Sequence, residues 1–392
     1  MTYDFETLNK KRSGNSAKWD VQENELPMTI ADMDFKVAPE IIQALHEKID
    51  MGLFGYEEIP KEYFESVANW YETEHDVRPN EEWMIFSTGV VPALSSAVRR
   101  LTSLGDNVLV QAPVYNVFYN SIINSGRHVV SNDLDYDTKL REYTIDFRDL
   151  EQKLSDPLTN MMILCNPHNP VGKIWNQDEL IKIVTLCNKY DVKLFSDEIH
   201  GDITFGTPYY PVFGLNKKYL DNVVVAVSPS KTFNVAAIHA ATMIVPNANL
   251  RAQINRGLNS EELAEPNIVA VPGTIAAYNN GHNWLKALKK QLLGNRRLIL
   301  DFIGKNIPDI KWVPGEATYL LWFDVGNIID NADELTKFIR QDTGLIVNAG
   351  SVYGGDGQHF IRMNIASPEK MILDGLNRLK KGIDDYKSGL NK

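Results

Sequence analysis

A lysine stands shortly after an apolar run in the segment NVVVAVSPSKTFN, where a buried strand would end. The run ends at Val227, and Lys231 follows it, with Ser228 and Ser230 in between. A lysine here either points into solvent or is held where its amine does chemistry. The second role is open to a buried lysine, because burial lowers the pKa of the ammonium group and favours the reactive neutral amine. The two hydroxyl groups are donors that a phosphate would use.

Two more polar residues follow strand-like runs. Asp197 comes after VKLF, and Asn169 lies in NPHNPVGK after NMMILC. The aspartate either caps a turn or a helix, or it holds a cationic partner such as a protonated ring nitrogen. The two Asn-Pro pairs restrict the backbone around the amide, which either serves a rigid turn or orients Asn169 toward a ligand.

The turn STGVV, which follows EWMIF and begins a helix, is a possible anion site. Gly89 lets backbone N–H groups approach an anion, and a helix N-terminus favours negative charge. Many strand–helix turns have such a sequence without binding anything, so this turn indicates a phosphate site only together with the other polar residues at the strand ends. A lysine, an aspartate, an amide and a phosphate cradle are together the parts that hold pyridoxal phosphate.

Short apolar runs that alternate with longer amphipathic stretches must position these groups. The runs are mostly continuous, which is typical of strands covered on both faces in a parallel sheet. One amphipathic stretch places Leu180, Ile183, Val184 and Cys187 on the same helical face. The pattern predicts a doubly wound α/β domain, in which ligands bind beyond the carboxyl ends of the strands.

The predicted division has three parts. Residues 45–285 form a large cofactor-binding domain, residues 286–392 form a smaller α+β domain, and residues 1–44 join the smaller one. In the smaller part, TYLLWFDV and HFIRMNIA have the character of strands, and a closing helix follows them.

Composition limits the class of protein. The net charge of −11 does not favour binding to nucleic acid through a basic field. The two cysteines, Cys165 and Cys187, support no disulfide framework and indicate a reducing compartment. No apolar stretch approaches the ~20 residues of a membrane helix, and the N-terminus does not resemble a signal peptide. We expect a cytoplasmic globular protein without a metal site, because Cys165 and His168 have no second ligand pair.

Seven motifs resemble, in order, one branch of a known enzyme superfamily. The chain is similar along essentially its whole length to the fold-type I aminotransferases, and in particular to their MalY/PatB-type cystathionine β-lyase (C–S lyase) branch. The motifs are KWD (18–20), ADMDF (31–35), GYEEIP (55–60), NPHNPVGKIW (166–175), SDEIHGD (196–202), SPSKTFN (228–234) and YGGDGQHFIRMNIA (353–366). The resemblance implies pyridoxal phosphate as cofactor and the fold-type I transferase fold, with a mostly parallel sheet in the large domain.

The resemblance also implies a role for each site residue. Lys231 would form the Schiff base with the cofactor, Asp197 would pair with the pyridine nitrogen, and Arg362 would bind the substrate α-carboxylate. Three more residues are implied at the cofactor ring: Tyr115 on the ring face, Asn169 at the phenolic oxygen and His200 beside that oxygen. The residues implied at the phosphate are Thr88, Gly89, Val90, Ser228 and Ser230. Tyr56 would bind the phosphate of the partner subunit, which implies a homodimer with shared sites.

Two histidines depart from the general aminotransferase pattern. His200 stands where many of these enzymes have a tyrosine, and it resembles the lyase branch, which favours elimination over transamination. His239 stands where they usually have a phosphate-binding arginine, so the phosphate has less fixed positive charge. Either histidine can also be a hydrogen-bonded structural residue.

Three functions remain open on the sequence. The resemblance implies a C–S β-lyase that cleaves cystathionine or a related cysteine S-conjugate to a thiol, pyruvate and ammonia. An aminotransferase of class I/II is the alternative, although no motif supports Arg256, the nearest arginine for a distal carboxylate. A regulatory or binding protein without turnover would be expected to lack Lys231 or Asp197. The absence of G-x-S-x-G and of an early G-x-G-x-x-G disfavours serine hydrolysis and dinucleotide binding.

Overall fold

The structure is a computed structural model that describes residues 3–9 and 14–389. The remaining residues, at both ends and at 10–13, belong to the predicted N- and C-terminal parts and lie outside the described residues. The helices are α1 (Pro39–Asp50), α2 (Lys61–His75), α3 (Val90–Leu101), α4 (Val117–Ile123), α5 (Phe147–Leu154), α6 (Gln177–Lys189), α7 (Ala248–Ser260), α8 (Ala270–Asn280), α9 (His282–Asn306), α10 (Ala332–Thr343) and α11 (Glu369–Lys387).

The strands form a large sheet, a small sheet and two short pairs. They are β1 (Leu26–Pro27), β2 (Met84–Ser87), β3 (Asn107–Val110), β4 (His128–Ser131), β5 (Asp135–Asp137), β6 (Glu142–Thr144), β7 (Thr159–Cys165), β8 (Lys193–Asp197), β9 (Val223–Val227), β10 (Ala241–Ile244), β11 (Lys311–Trp312), β12 (Leu320–Asp324), β13 (Leu345–Ile346), β14 (Asn348–Ala349) and β15 (Phe360–Asn364).

The large sheet has the strand order β2-β10-β9-β8-β7-β3-β4. The neighbours from β9 to β4 all pair in parallel, whereas β10 is antiparallel to both β9 and β2. The predicted α/β fold with a mostly parallel sheet is confirmed. Because parallel strands end at the same edge, the polar residues that follow β7, β8 and β9 meet there.

Apolar side chains pack on both faces of this sheet, which explains the continuous apolar runs. Along β7, Met161 belongs to the same core cluster as Leu94 of α3, whereas Met162 belongs to the cluster that contains Ile183 of α6. Successive side chains of a strand point to opposite faces, so a strand covered on both faces must be apolar at every position. Each such side chain contributes roughly 1.5–3 kcal/mol by its burial.

Helix α6 shows how local sequence fixes an element. Asn176 accepts a hydrogen bond from the Glu179 amide, and the Glu179 side chain accepts one from the Asn176 amide, which together form a capping box. The predicted apolar face is buried along the helix. The helix therefore begins where its free N–H groups are satisfied and lies with one face against the sheet.

The small sheet has the order β11-β12-β15-β14, with all its pairs antiparallel. The N-terminal segment reaches this part of the chain, because β1 pairs in parallel with β13, with Leu26 opposite Leu345. Helix α9 runs continuously through residue 285, where the sequence places the domain boundary, and the three-part division stays a prediction. Among the described helices, none combines the length and the apolar character needed to cross a membrane.

Candidate active site

Lys231 follows β9 in a tight turn and extends its amine under the N-terminal segment. Its Nζ donates a hydrogen bond to the carbonyl of Ala31 at 2.7 Å. Burial lowers the pKa of the Lys231 ammonium, and the negative charges of Asp32 and Asp197 act in the opposite direction. The amine is therefore more readily neutral than that of an exposed lysine, which suits a nucleophile or a base.

Asp197 is the last residue of β8 and lies between neighbouring strands, opposite Cys165 and Ala226. Its Oδ1 accepts a hydrogen bond from the Ile199 amide at 3.1 Å. Burial raises the pKa of Asp197 to about 6, although this bond and the charge of Lys231 lower it. A further cation placed against the carboxylate would hold it ionised.

Arg362 is buried on β15 with its guanidinium fixed on several sides. It donates to Oδ1 of Asn169 at 3.0 Å, to the Thr29 carbonyl at 3.2 Å and to Oδ1 of Asn348 at 3.2 Å. The Tyr353 ring lies 4.8 Å from its central carbon. Its Nε is buried and has no partner among the described residues. An oriented, buried cation with a donor to spare is suited to a carboxylate ligand.

His200 and Tyr115 lie in the same electrostatic environment. Burial lowers the pKa of His200 to about 3, and the charges of Lys231 and Arg362 act in the same direction, so the imidazole is neutral. Its Nδ1 is buried and unpartnered within the described part of the chain. Burial raises the pKa of the Tyr115 phenol, and the negative charge of Asp197 raises it further, so the phenol lies near that carboxylate.

The predicted phosphate-binding residues lie at two strand ends. Gly89 precedes the first residue of α3, Val90, and has a φ of 157°, where a Cβ would approach the Pro92 side chain to 3.2 Å. The Thr88 amide already donates to a backbone carbonyl, so the Thr88 hydroxyl is the group that could donate to a phosphate. The hydroxyls of Ser228 and Ser230 are 2.7 Å apart. A helix N-terminus and hydroxyl donors are features of an anion site.

The structure of one chain does not bring every predicted residue into this cluster. Tyr56 is 99% exposed, at the end of a stretch in which Met51, Leu53 and Phe54 are also exposed. His239 is exposed and caps a short 3-10 turn in the left-handed conformation, with φ 52°.

Sequence reasoning missed the contribution of the backbone of ADMDF. The Ala31 carbonyl accepts from Lys231 and also from the Tyr319 hydroxyl at 3.1 Å. Asn234 donates to the carbonyls of residues 33 and 35, and Asn364 donates to those of residues 30 and 32. The sequence did contain a signal for these contacts. Asn234 lies in SPSKTFN and Asn364 in YGGDGQHFIRMNIA, two motifs that resemble the same enzyme branch as ADMDF does.

Three features of the structure test whether pyridoxal phosphate fits. The buried carboxylate of Asp197 accepts a bond from one backbone amide and would gain from a cationic ring nitrogen. The buried Nδ1 of His200 and the buried Nε of Arg362 lack partners among the described residues. Gly89 opens a helix N-terminus at the carboxyl edge where the serine pair also lies. The residues present fit this group, whereas the described residues contain no cluster of metal-ligating side chains.

The family model for class I and II aminotransferases matches residues 23–379. The chain belongs to this family. It is 36% identical over 386 residues to the cystathionine β-lyase PatB of Bacillus subtilis, covering 97% of this chain and 99% of PatB. It is 31% identical over 392 residues to the protein MalY of Escherichia coli, again covering 97% of this chain and 99% of the relative.

Solved structures of this family show the same fold. The crystal structure of cystalysin from Treponema denticola, which contains pyridoxal phosphate, has a TM-score of 0.94 and 32% identity, covering 98% of this chain and 100% of cystalysin. A pyridoxal phosphate-bound C–S lyase from Staphylococcus hominis has a TM-score of 0.90 and 28% identity, covering 98% of each chain. The predicted resemblance to the MalY/PatB branch is confirmed.

Proposed function

We propose that the protein is a pyridoxal phosphate-dependent carbon–sulfur β-lyase. With water, it would convert cystathionine or a related cysteine S-conjugate into a thiol, pyruvate and ammonia. The observation that carries the proposal is the 36% identity, along almost the whole chain, to a cystathionine β-lyase. The geometry supports it, because the amine of Lys231 and the acid of Asp197 at the edge of the large sheet lie near the fixed guanidinium of Arg362 on β15.

Lys231 would remove the α-proton of the substrate. Bound pyridoxal phosphate supplies an electron sink for the electron pair that this proton leaves behind. Burial lowers the pKa of the Lys231 amine, so its free base forms more readily than that of an exposed lysine. The Ala31 carbonyl, which accepts from Nζ, can hold the ammonium that results. The electron pair at the α-carbon then forms a double bond to the β-carbon, while sulfur leaves with the pair of the carbon–sulfur bond as a thiolate, which takes up a proton to become the thiol.

Asp197 and His200 would determine the charge of the protein groups around the cofactor ring. Asp197, buried as an anion, favours a protonated ring nitrogen and so favours electron withdrawal. His200, held neutral by burial and by the nearby cations, can take part in hydrogen bonds but adds no charge. Asn169 and Tyr115 would contact the ring oxygen and the ring face.

Arg362 would bind the α-carboxylate and thereby orient the substrate. Its guanidinium is already fixed by the side chains of Asn169 and Asn348 and by the Tyr353 ring. A receptor organised before binding loses little entropy when the ligand arrives. Substrates without an α-carboxylate are therefore expected to be poor.

We also propose that two copies of the chain form a homodimer. The exposed apolar stretch of Met51, Leu53 and Phe54 supports this, since exposed apolar patches mark interaction surfaces. Tyr56, which is 99% exposed in the part of the chain that the structure describes, would then contact the phosphate in the site of the partner. Light scattering would give the mass of a dimer, and Tyr56→Phe would weaken cofactor binding without producing monomers.

The three-part division at residues 45 and 285 is part of the proposal. The separate sheets support it, as does the pairing of β1 with β13. We further propose a cytoplasmic location, supported by two cysteines that are buried and free of disulfides. Fractionation of cells that express the chain would test this location.

One assay tests the reaction. Cystathionine is added to the protein loaded with pyridoxal phosphate, with no keto acid present, and pyruvate and free thiol are measured. The proposal predicts equal amounts of both, and no product from Lys231→Ala. Product formation that requires an added keto acid would instead identify the alternative, an aminotransferase.

A further inference from the structure

Asp202, five residues after Asp197, has a buried carboxylate that collects hydrogen bonds from separate parts of the fold. Its Oδ1 accepts from Nε1 of Trp70 at 2.9 Å and from Nε2 of His75 at 2.7 Å. Its Oδ2 accepts from the Thr232 hydroxyl at 2.5 Å. The residue is 6% exposed, so these bonds are formed away from bulk solvent.

Thr232 makes this arrangement relevant to the reaction, because it directly follows Lys231. A hydroxyl bonded to a buried anion fixes the backbone of the residue that carries the amine. The Asp202 segment is itself held from the other side, since Nζ of Lys289 on α9 donates to the Asp202 carbonyl at 2.9 Å. One carboxylate therefore connects the lysine segment to α2 and to the segment that carries Asp197.

The carboxylate is ionised in this position. Burial by itself would raise the pKa of Asp202. The hydrogen bond from His75 and its charge lower this pKa, as do the hydrogen bonds from Thr232 and Trp70, and the pKa lies below its ordinary value. Hydrogen bonds to an ionised acceptor are about twice as strong as neutral ones. The bond from Thr232 is thus a firm constraint on the turn after β9.

We propose that Asp202 and Thr232 are positioning residues, which hold Lys231 where its amine can reach both the cofactor and the α-proton. This inference rests on the proposed function, since it concerns the step that Lys231 performs. A misplacement of about 1 Å in a reacting group can lower a rate by ~100-fold. The loss of this hydrogen bond should therefore change kcat more than KM.

The test compares two substitutions at one position, one that removes the hydroxyl at nearly constant volume and one that keeps it. Thr232→Val removes the hydroxyl, and Thr232→Ser retains it. We expect Thr232→Val to lower kcat per cofactor-loaded site by ~10- to 100-fold with KM within ~3-fold. We also expect it to shift the pH midpoint of the absorbance of the Lys231–cofactor link. Thr232→Ser should restore both values to near those of the unmodified protein.

A matched control separates positioning from loss of stability. Thr102, at the opposite edge of the sheet, also has a bonded hydroxyl, which accepts from Nε of Arg127 at 2.9 Å. Thr102→Val should lower the unfolding midpoint without changing kcat or the spectral midpoint. Trp70→Phe, which removes a different donor to Asp202, is expected to lower kcat to a smaller extent and serves if Thr232→Val does not fold.

The outcomes distinguish this inference from the proposed function. If the unmodified protein links the cofactor at Lys231 and turns over, but Thr232→Val and Trp70→Phe match it in kcat and spectrum, the positioning role is wrong and the function stands. An equal fall in kcat for Thr102→Val would also overturn the positioning role. If the unmodified protein neither links the cofactor at Lys231 nor turns over, the proposed function fails first.

Discussion

At the scale of single residues, the site combines a lysine that is readily neutral with a carboxylate that needs a cation. Burial moves the pKa of Lys231 down, which favours the neutral amine, and moves that of Asp197 up, so the carboxylate gains from a cationic ligand. Arg362 is the exception, because its protein partners already orient it and one nitrogen remains for the substrate.

Removal of the Asp197 carboxylate should abolish efficient turnover without emptying the site. We expect Asp197→Ala to lower kcat by ~10²- to 10³-fold, because the ring loses the anion that favours its protonated form. Cofactor absorbance after gel filtration should show that part of the cofactor is retained. Asp178→Ala, at an exposed position on α6, is the control. Near-normal turnover of Asp197→Ala would contradict the role given to this residue.

Replacement of Arg362 by lysine keeps a positive charge but removes the planar pair of donors. We expect kcat/KM for cystathionine to fall by ~10- to 100-fold, since charge-assisted hydrogen bonds contribute about 1.5–3 kcal/mol. Arg256→Lys, on the exposed side of α7, should leave kcat/KM unchanged. If both variants behave alike, Arg362 does not bind the carboxylate.

The sequence revealed side chains with chemistry, but not those that act through the backbone. Lys231, Asp197 and Asn169 follow apolar runs, and that position was enough to predict their grouping. The Ala31 carbonyl has no signature in a sequence, and Tyr319 lies in an apolar run directly before β12, like any core aromatic. In the proposed homodimer Tyr56 acts in the site of the partner, so its role is not visible in one chain.

At the scale of elements, the carboxyl ends of parallel strands bring the site together, and the ADMDF segment lies across it. This segment is anchored by Lys18, whose Nζ bonds to Asp34 at 2.8 Å with both side chains buried. Asp34 also accepts from Trp19 and from Ser367. The anchor fixes the strip of backbone that contacts Lys231.

Loss of the Lys18 charge should destabilise the protein strongly. Lys18→Met leaves Asp34 buried with one cation fewer, and breaking a buried pair in this way costs about 3–5 kcal/mol. Urea unfolding measures this loss. The matched control is Lys61→Met, which breaks the exposed pair with Glu65 and should barely move the midpoint. Equal midpoints for the two variants would show that the buried pair does not anchor the segment.

Most elements of the large sheet were predictable because two covered faces require continuous apolar runs. The strand β4 was missed, since HVVS is short and lies at the sheet edge with one exposed and three half-buried residues. The antiparallel direction of β10 was not predicted, because an apolar run carries no sign of its direction. The predicted boundary at residue 285 falls inside α9, where a continuous helix gives no local break.

At the scale of the whole molecule, the small sheet and the large one meet through polar contacts as well as through the core. The Tyr143 hydroxyl on β6 donates to the Asp356 carboxylate at 3.0 Å, and the Tyr119 hydroxyl on α4 donates to the Tyr353 carbonyl at 2.7 Å. These bonds join the large-sheet part of the chain to the loop before β15, which carries Arg362.

Burial of the Asp356 carboxyl group should make stability depend on pH. Burial raises the pKa of Asp356 from 3.8 to about 6. Its stabilising contribution is therefore complete below pH 3.8 and is lost as the pH rises through 6, by an amount on the order of 1–3 kcal/mol. We expect Asp356→Asn to lack this loss when the free energy of unfolding is measured between pH 4 and 7.5. The same slope in both proteins would assign it to other groups.

The whole account depends on a covalent link at one lysine. The measurement is reduction of the pyridoxal phosphate-loaded protein with borohydride, followed by peptide mapping by mass spectrometry. We predict one labelled peptide, with the reduced cofactor on Lys231 in the sequence SPSKTFN. A label on another lysine, or no label after the cofactor has been supplied, would contradict the proposed mechanism.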